Sequence, residues 1–220
     1  MIEAVIFDMD GLLINTEHQW QLVERQIMNE VGVEITPEMQ FTTLGLRSDE
    51  QLRYWYKLYP WKNPDLEAMD KKYTVNMVEY FKKDAVLMEG AIHALDFFRE
   101  KCLPIALASS STMELIDTFL DRFSLREYFT CVVSAENEPF GKPHPGVYLK
   151  TASQLHCEAI ACLALEDSFH GLIAAKAAKM MCIAVPDERY TSDPRFGAAD
   201  LTLSSLNDLT EESYQSIRKS

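Results

Sequence analysis

The ends of four short apolar segments carry polar residues of types that suit phosphoryl transfer. In chain order, these residues are Asp8, Asp10, Ser109, Lys142, Glu166 and Asp167. An Asp carboxylate can attack phosphorus and form an aspartyl-phosphate, and a second carboxylate can protonate the leaving oxygen and later activate water. A Ser hydroxyl and a Lys ammonium group can bind the oxygens of the transferring group. The set therefore indicates an enzyme that moves a phosphoryl group.

The same residues predict a bound cation. Taken singly, each has an ordinary explanation, because an Asp often ends a strand as a turn residue, a Lys before Pro is usually a solvated loop residue, and Glu-Asp-Ser can begin a helix. Taken together, the four carboxylates would repel one another if they met at one edge of a sheet. A cation between them would remove that repulsion, and oxygen-only ligands favour Mg²⁺. We therefore expect Mg²⁺ at this edge.

The segments around these residues predict a parallel sheet. They read EAVIFDM, PIALASS, CVVSAE, CLALED, CIAVP and ADLTLS, and near-continuous apolar runs are typical of strands buried on both faces. Helical patterns separate them; one begins with a predicted capping box of Ser111 and Glu114 and continues with Leu115, Ile116 and Phe119. The alternation predicts a doubly wound, Rossmann-like α/β sheet, in which ligands bind at the carboxyl ends of the strands.

One connection is far longer than an ordinary strand-to-helix loop. Nearly eighty residues separate Gly11 from Gly90, whereas such loops normally have ~2–6 residues. Within it, apolar residues recur at helical spacing in two stretches: Trp20, Val23, Ile27 and Val31, then Leu66, Met69, Tyr73, Met77 and Tyr80. We therefore expect an all-helical domain at residues 15–85, inserted into a core made of residues 1–14 and 86–220.

Composition limits the classes of partner. The net charge of −13 argues against nucleic acid and anionic membranes, both of which need a basic surface. No apolar run is long enough to cross a bilayer, and the first residues, MIEAVIFD, enter a strand-like run without a signal peptide. Five cysteines without a CxxC pair are typical of reduced thiols. We expect a cytoplasmic monomer that binds a small molecule.

The ordered residues resemble the four motifs of the haloacid dehalogenase (HAD) superfamily. The set that carries the resemblance is Asp8-x-Asp10-Gly11, Ser109, Lys142-Pro143 and Glu166-Asp167. The resemblance extends from residue 5 to about residue 186. The inserted helices resemble the mobile cap of C1 type that the family carries after its first motif. Four motifs in this order are a specific signal, whereas one alone would be weak.

The resemblance implies a role for each acidic residue. Asp8 would be the nucleophile and a metal ligand, and Asp10 would be the general acid and base, binding Mg²⁺ through its backbone carbonyl. Asp167 would complete the metal site, with Glu166 either as a further ligand or one layer behind. Dehalogenases and phosphonate hydrolases of the superfamily lack an Asp at the position of Asp10, so its presence favours a phosphatase or a phosphomutase.

The resemblance also implies where a substrate would bind. Ser109 would hydrogen-bond the phosphoryl group, and Lys142 would hold the nucleophile and the phosphate together. The full set of expected substrate contacts, with cap residues included, is Ser109, Ser110, Lys142, Glu17, Trp20, Gly45, Leu46 and Arg47. For Arg47 two interpretations stay open, a contact to hydroxyls or phosphate and an ordinary Arg at a helix start.

The wider pattern is most similar to bacterial sugar-phosphate phosphatases of the 2-deoxyglucose-6-phosphate phosphatase and hexitol phosphatase group. The stretches that carry this are DMDGLLI, LGLR, KPHPGVYL, LEDS and DPRF. One alternative is a phosphomutase of the β-phosphoglucomutase type, but Leu44 and Trp20 stand where that enzyme has Lys and His. A non-catalytic phosphometabolite-binding protein is a second alternative, although it would be expected to lose Asp8 or Asp10. We expect a Mg²⁺-dependent phosphatase of small sugar or sugar-alcohol phosphates.

Overall fold

The computed structural model describes residues 1–217 and contains, within them, one parallel sheet. Its strands are β1 (Ala4–Phe7), β2 (Ile105–Ser109), β3 (Cys131–Ser134), β4 (Cys162–Glu166), β5 (Met181–Ala184) and β6 (Leu201–Thr202). They lie in the order β3-β2-β1-β4-β5-β6, and each adjacent pair is parallel. Every strand coincides with one of the apolar segments, so the predicted doubly wound sheet is confirmed.

Helices cover both faces of the sheet because successive strand residues point to opposite sides. Val5 and Phe7 pack with α5 (Ala91–Glu100), α6 (Met113–Phe123) and α9 (Glu211–Ile217). On the other face, Ala4 and Ile6 pack with α7 (Gly146–Gln154) and α8 (Phe169–Ala177). The strands β1, β2 and β4 are fully buried between these layers, which explains their continuous apolar sequences.

Four further helices lie between β1 and α5. They are α1 (Glu17–Glu30), α2 (Pro37–Gln40), α3 (Ser48–Leu58) and α4 (Leu66–Lys83). Both α1 and α3 pack against α4, and α4 also packs against α6. The apolar spacing in this segment was a correct sign of helix, because Val23, Ile27, Met69, Tyr73 and Met77 are buried. No helix within residues 1–217 is long and apolar enough to cross a membrane.

The chain enters and leaves these four helices through two segments that lie side by side. Ile14 forms an antiparallel bridge with Leu87. The Asn15 amide donates to the Val86 carbonyl at 2.9 Å, and the Met88 amide donates to the Leu13 carbonyl at 2.9 Å. The two segments that connect the inserted helices to the core are therefore paired with each other close to the end of β1.

The capping box predicted at Ser111 is wrong, whereas Glu-Asp-Ser does begin a helix, with Ser168 as its cap. Helix α6 begins at Met113 after Thr112, and Thr112 makes no side-chain cap bond. The Met113 amide instead donates to Glu136 Oε2 at 3.0 Å. The Ser168 hydroxyl accepts a hydrogen bond from the Gly171 amide at 3.0 Å, as a helix cap should. The hydroxyl of Ser111 is used elsewhere, in the site described next.

Candidate active site

The strand order brings the polar strand ends together. Strand β1 lies between β2 and β4, so Asp8, which follows β1, is flanked by Ser109 at the end of β2 and by Glu166 at the end of β4. The Asp8 amide donates to the Leu165 carbonyl at 3.0 Å, which fixes its backbone to β4. Asp8, Ser109, Glu166 and Asp167 are all buried. These four residues therefore share one small volume at the carboxyl edge of the sheet.

Lys142 lies at the centre of this volume, with its side chain 2% exposed. Its ammonium group donates to Asp8 Oδ1 at 2.6 Å, to Glu166 Oε1 at 2.6 Å and to the Ala108 carbonyl at 3.1 Å. Three acceptors match its three N–H bonds. Burial lowers the pKa of Lys142, but the adjacent carboxylates outweigh this and hold it above its ordinary value. The lysine is therefore charged and fixes one oxygen of Asp8.

Glu166 is fully buried, and both of its oxygens accept hydrogen bonds from the protein. Besides Lys142, Oε1 accepts from the Tyr148 hydroxyl at 2.5 Å, and Oε2 accepts from the Ser168 hydroxyl at 3.4 Å. A Cβ on Gly171 would lie 2.0 Å from this carboxylate, so the small residue of α8 makes room for it. The contacts hold Glu166 behind Lys142, which favours its position one layer behind a metal.

The carboxylates of Asp8, Glu166 and Asp167 bring oxygen atoms within 4.8 Å of one another. Burial raises the pKa of Asp8 to about 8, although Lys142 lowers it in part, and burial also raises the pKa of Asp167 well above its ordinary value. With all three carboxylates ionised, their negative charge would exceed the one positive charge of Lys142, and the raised pKa values of Asp8 and Asp167 reflect the cost of that state. A hard divalent cation would supply the missing charge, and the oxygen donors fit Mg²⁺.

Gly11 gives Asp167 its space. The residue has φ +76°, a conformation that side chains rarely adopt, and a Cβ there would lie 2.0 Å from Asp167 Oδ2. The turn after β1 therefore passes directly over the Asp167 carboxylate. This contact explains why a glycine follows Asp10 in the first motif.

Asp10 is held by one donor from the core and one from the inserted helices. The Ser111 hydroxyl donates to Oδ2 at 2.7 Å, and the indole N–H of Trp20, on α1, donates to Oδ1 at 2.8 Å. A hydroxyl can both donate and accept, whereas an indole N–H only donates. Ser111 can therefore hydrogen-bond to Asp10 whether the Asp10 carboxyl group is ionised or protonated. The expectation for Trp20 was a substrate contact, but its one polar atom is bonded to Asp10.

The serines after β2 have different partners. Ser109 Oγ accepts from the Ser111 amide at 3.0 Å, an arrangement that leaves its hydroxyl hydrogen to donate. Ser110 Oγ donates to the Gly45 carbonyl at 3.4 Å, and Ser134 Oγ donates to the Ser111 carbonyl at 2.6 Å. Sequence reasoning missed Ser111 as a site residue. The signal was present in the run Ser109-Ser110-Ser111, but Ser111 was interpreted as a helix cap and was therefore not considered for the site.

Above this edge, the inserted helices close over a cavity of about 870 Å³, its open mouth included. Gly45 and Leu46 line it, and their expected contact to a substrate stays a prediction. Gly45 has φ +81°, and a Cβ on it would lie 2.6 Å from Ser168 Oγ. His170 Nδ1 donates to the Leu44 carbonyl at 2.5 Å. The loop before α3 therefore rests on the start of α8.

Arg47 also lines the cavity, but its donors are engaged by the protein. Its Nε donates to Asp49 Oδ1 at 2.6 Å, and its Nη1 donates to the Ala135 and Glu138 carbonyls at 2.6 and 2.9 Å. Beside it, Glu50 Oε1 accepts from the Gly141 amide at 3.0 Å. These contacts make Arg47 a link between α3 and the loop after β3. Its expected contact to a substrate stays a prediction.

Two carboxylates of α1 line the cavity, Glu24, which is buried, and Glu17, which is partly buried. Glu17 Oε1 accepts from Gln21 Nε2 at 2.6 Å, and burial raises the pKa of Glu17 to about 7, with Arg189 opposing the rise. Glu24 accepts from Trp55 Nε1 at 2.7 Å and from the side chain of Gln40. Burial raises the pKa of Glu24 to about 7 as well, although both hydrogen bonds lower it. These two carboxylates make the cap lining of the cavity acidic, and Glu17 lies close enough to Asp167 for its charge to contribute to the raised pKa of that residue.

This geometry brings a carboxylate paired with a lysine, a second carboxylate and a cluster of oxygen atoms that could hold a cation to one edge of the sheet. A sequence model of the haloacid dehalogenase-like hydrolases matches residues 5–185. The chain belongs to this family. The resemblance seen in the four motifs is thereby confirmed.

Named relatives of this HAD-like hydrolase include phosphatases. Hexitol phosphatase B of Escherichia coli (strain K12) is 40% identical over 210 residues, which cover 95% of this chain and 95% of the relative. The phosphorylated carbohydrates phosphatase of Thermotoga maritima is 30% identical over 177 residues, covering 80% of this chain and 82% of the relative. The expectation of a phosphatase of this family is confirmed.

Solved structures agree on the fold. The β-phosphoglucomutase from Clostridium difficile superposes with a TM-score of 0.85 at 24% identity, covering 100% of this chain and 98% of that structure. CbbY from Rhodobacter sphaeroides in complex with phosphate has a TM-score of 0.84 at 24% identity, covering 95% and 96%. At this identity the likeness shows the HAD fold with its helical insertion, and it shows nothing about substrate.

Proposed function

We propose that this HAD-like phosphatase hydrolyses monophosphates of hexitols and hexoses, with Mg²⁺ as cofactor and a phosphorylated Asp8 as intermediate. The observation that carries the proposal is the buried pair of Asp8 and Lys142, with Asp10 held beside it by two donors. The similarity to hexitol phosphatase B supports the substrate class. The proposed class includes 2-deoxyglucose 6-phosphate, which differs from the other members only in the part of the molecule that would face the cap.

In the first half-reaction, a carboxylate oxygen of Asp8 attacks phosphorus and the bond from phosphorus to the ester oxygen breaks. Lys142 holds Asp8 in a single orientation, which favours in-line attack. The leaving oxygen takes a proton from Asp10 and departs as the alcohol. The hydroxyl of Ser109 donates to a phosphoryl oxygen, and the positive charge of Lys142, whose three N–H bonds are engaged by the protein, attracts the phosphoryl group from beside Asp8.

In the second half-reaction, water attacks phosphorus of the aspartyl-phosphate and gives its proton to Asp10. The bond from phosphorus to the Asp8 oxygen breaks, which restores the carboxylate and releases inorganic phosphate. Asp10 thus ends each cycle protonated, as it began. Ser111 suits this double role because its hydroxyl can accept from Asp10 as well as donate to it.

The residues of the cation site fit the proposed cofactor. Asp8, Asp167 and the backbone carbonyl of Asp10 would hold Mg²⁺, and Glu166 would act on it only through Lys142 and Asp8. When bound, the ion would neutralise charge on the phosphoryl oxygens. The feature of the protein that supports this is the cluster of three carboxylates with oxygen atoms within 4.8 Å of one another, whose ionised forms need a cation beside them.

We place the limits of the cap at residues 15 and 85, where the two paired connecting segments join it to the core of residues 1–14 and 86–220. The bonds of Asn15 to Val86 and of Met88 to Leu13 support this division. In the closed arrangement, Trp20 reaches Asp10 and Arg47 reaches the core. Cap closure would therefore complete the acid–base group and exclude water during transfer. We further propose a cytoplasmic monomer that binds small molecules; the net charge of −13 supports the last point, because nucleic acid and anionic membranes need a basic surface.

The test is a substrate panel with the wild-type protein and Asp8→Asn in the presence of Mg²⁺. The panel contains hexitol phosphates, glucose 6-phosphate, 2-deoxyglucose 6-phosphate, and β-glucose 1-phosphate with a bisphosphate primer. We expect phosphate release from the hexitol and hexose monophosphates, no release by Asp8→Asn, and a complete loss on chelation that added Mg²⁺ reverses. Isomerisation of β-glucose 1-phosphate without net release would support a phosphomutase in its place, and no reaction at all would favour a binding protein.

A further inference from the structure

Tyr148 is a fully buried residue beside the site that the proposed reaction does not use. It belongs to the stretch KPHPGVYL, of which the reaction uses only Lys142. The Tyr148 hydroxyl donates to Glu166 Oε1 at 2.5 Å, and Lys142 donates to the same oxygen at 2.6 Å. Neither Tyr148 nor Glu166 is among the described residues that line the cavity. Tyr148 therefore reaches the reacting groups through Glu166 and Lys142, without touching a substrate.

Packing fixes the ring of Tyr148 in the core. The residue lies in the first turn of α7, which packs against β1, β2 and β3. The apolar layer that contains Tyr148 also contains Ala106, Ala108 and Ala164, whose small side chains leave space for an aromatic ring on this face of the sheet. Because the ring cannot turn away in such a layer, its hydroxyl stays directed at Glu166.

The hydroxyl of Tyr148 affects how strongly Glu166 attracts Lys142. The lysine is shared between Asp8 Oδ1 and Glu166 Oε1, each at 2.6 Å. A carboxylate oxygen that already accepts a short hydrogen bond has less negative charge to offer a second donor, and water does not screen this effect in a buried site. Without the hydroxyl, Lys142 would be the one donor to Oε1 among the described residues. Glu166 would then attract Lys142 more strongly, at the expense of its bond to Asp8.

The ring of Tyr148 makes a second contact that can be separated from the hydroxyl. Lys142 Nζ lies 5.1 Å from the ring centroid, within the range of a cation–π attraction. The Ser168 hydroxyl donates to the other oxygen of Glu166, Oε2, at 3.4 Å, so it does not replace the bond at Oε1. Tyr148→Phe keeps the ring and its packing and removes the hydroxyl alone. This variant therefore isolates the contribution of the hydrogen bond.

We infer that Tyr148 is a positioning residue, whose hydroxyl engages Glu166 and thereby keeps Lys142 directed at Asp8. The inference rests on the proposed function, in which Asp8 attacks phosphorus. It goes beyond that function because it gives a role in the reaction to a residue that touches neither the substrate nor the nucleophile. The orientation of Asp8 then depends on a chain of contacts that begins on α7, behind the sheet edge.

The test measures the first turnover of wild type and Tyr148→Phe by rapid quench, with Mg²⁺ and either glucitol 6-phosphate or p-nitrophenyl phosphate. Both reactions begin with attack by Asp8, although their leaving groups differ. Removing a partner that lies one layer behind a working residue typically costs about 10- to 100-fold in activity. We expect the first-turnover rate at saturation to fall by about tenfold with both substrates. The half-saturating concentrations should stay within about twofold of wild type, because Tyr148 does not line the cavity.

A double-variant comparison tests whether the hydroxyl acts through Glu166. In Glu166→Gln the charge that competes for Lys142 is absent, so adding Tyr148→Phe should slow the first turnover by less than about twofold. This pair also provides a second test if Tyr148→Phe alone does not fold, because it leaves no buried charge without its donor. Tyr128→Phe is the matched control, since it removes a hydroxyl that donates to Asp96 Oδ1 at 2.8 Å, and neither residue lines the cavity. It should leave the first-turnover rate unchanged.

The outcomes separate this inference from the proposed function. If wild type releases neither leaving group, the phosphatase proposal fails and the inference fails with it. If wild type is active and Tyr148→Phe has the same first-turnover rate, the phosphatase proposal stands and the inference is wrong. Equal slowing by Tyr148→Phe with Glu166 present and with Glu166→Gln would also overturn it, because the hydroxyl would then act independently of Glu166. A change confined to the half-saturating concentrations would overturn it as well.

Discussion

The hydrogen bond from Trp20 to Asp10 leads to a prediction about one chemical step. Trp20→Phe removes the indole N–H, 2.8 Å from Asp10 Oδ1, and keeps an aromatic ring to pack on Tyr73, whose centroid lies 6.1 Å away. A hydrogen bond to a charged group contributes roughly 1.5–3 kcal/mol, and each 1.36 kcal/mol of barrier is a factor of about ten. We therefore expect phosphoryl transfer from an alkyl phosphate to slow by about 10- to 100-fold.

The assay measures the first turnover by rapid quench with two substrates. Glucitol 6-phosphate needs a proton from Asp10 to release its alcohol, whereas p-nitrophenyl phosphate releases a stable anion without one. The burst of p-nitrophenol in Trp20→Phe should therefore stay close to that of wild type while transfer from glucitol 6-phosphate slows. Trp61→Phe is the matched control, because the Trp61 N–H has no hydrogen-bond partner within the described residues. Equal slowing of both substrates, or no slowing of either, would refute the positioning role of Trp20.

Three further predictions concern stability, the cap link and the cation site. The pKa of Glu24 is raised from 4.5 to about 7, so the folded protein binds this proton more tightly than the unfolded chain. The free energy of unfolding of wild type relative to that of Glu24→Gln, measured in urea, should therefore fall by about 3 kcal/mol between pH 4.5 and 7. A difference between the two proteins that stays constant with pH would contradict this prediction. Arg47→Met removes two hydrogen bonds to core carbonyls and should raise KM by about tenfold. Arg47→Lys should restore little of the wild-type KM, because a lysine lacks the paired N–H donors of the guanidinium group. A wild-type KM in Arg47→Lys would indicate a simple charge contact. Gly11→Ala should weaken Mg²⁺ binding by at least ~10-fold in calorimetry, because the new Cβ would displace the Asp167 carboxylate. An unchanged Mg²⁺ affinity would show that Asp167 is not a metal ligand.

The sheet could be predicted from the sequence because its signals are local. Each strand is one continuous apolar segment, and Asp8, Ser109 and Glu166 follow or end their strands at fixed positions. Once the strands are parallel and β1 lies between β2 and β4, these side chains must meet. The inserted helices were equally evident, because an overlong connection with helical spacing has no other economical explanation.

The contacts that complete the site could not be predicted, because they join residues far apart in the chain. Ser111 and Asp10 are separated by 101 positions, and Arg47 and Ala135 by 88. A Ser followed three residues later by Glu satisfies the local rule for a helix cap, and only the packed structure shows that the hydroxyl of Ser111 has a better acceptor. The same holds for Trp20, whose apolar ring fits a helix stripe while its N–H reaches the core.

The central claim, that Asp8 becomes phosphorylated, can be tested directly. Asp10→Asn is mixed with p-nitrophenyl phosphate and Mg²⁺, quenched in acid, digested and examined by mass spectrometry. Because this variant lacks the base that activates water but needs no acid to release p-nitrophenol, we predict that the phosphoryl group accumulates on the peptide that contains Asp8. Asp8→Asn combined with Asp10→Asn should carry none. A burst of p-nitrophenol without phosphorylated protein, or a phosphoryl group on another residue, would contradict the account.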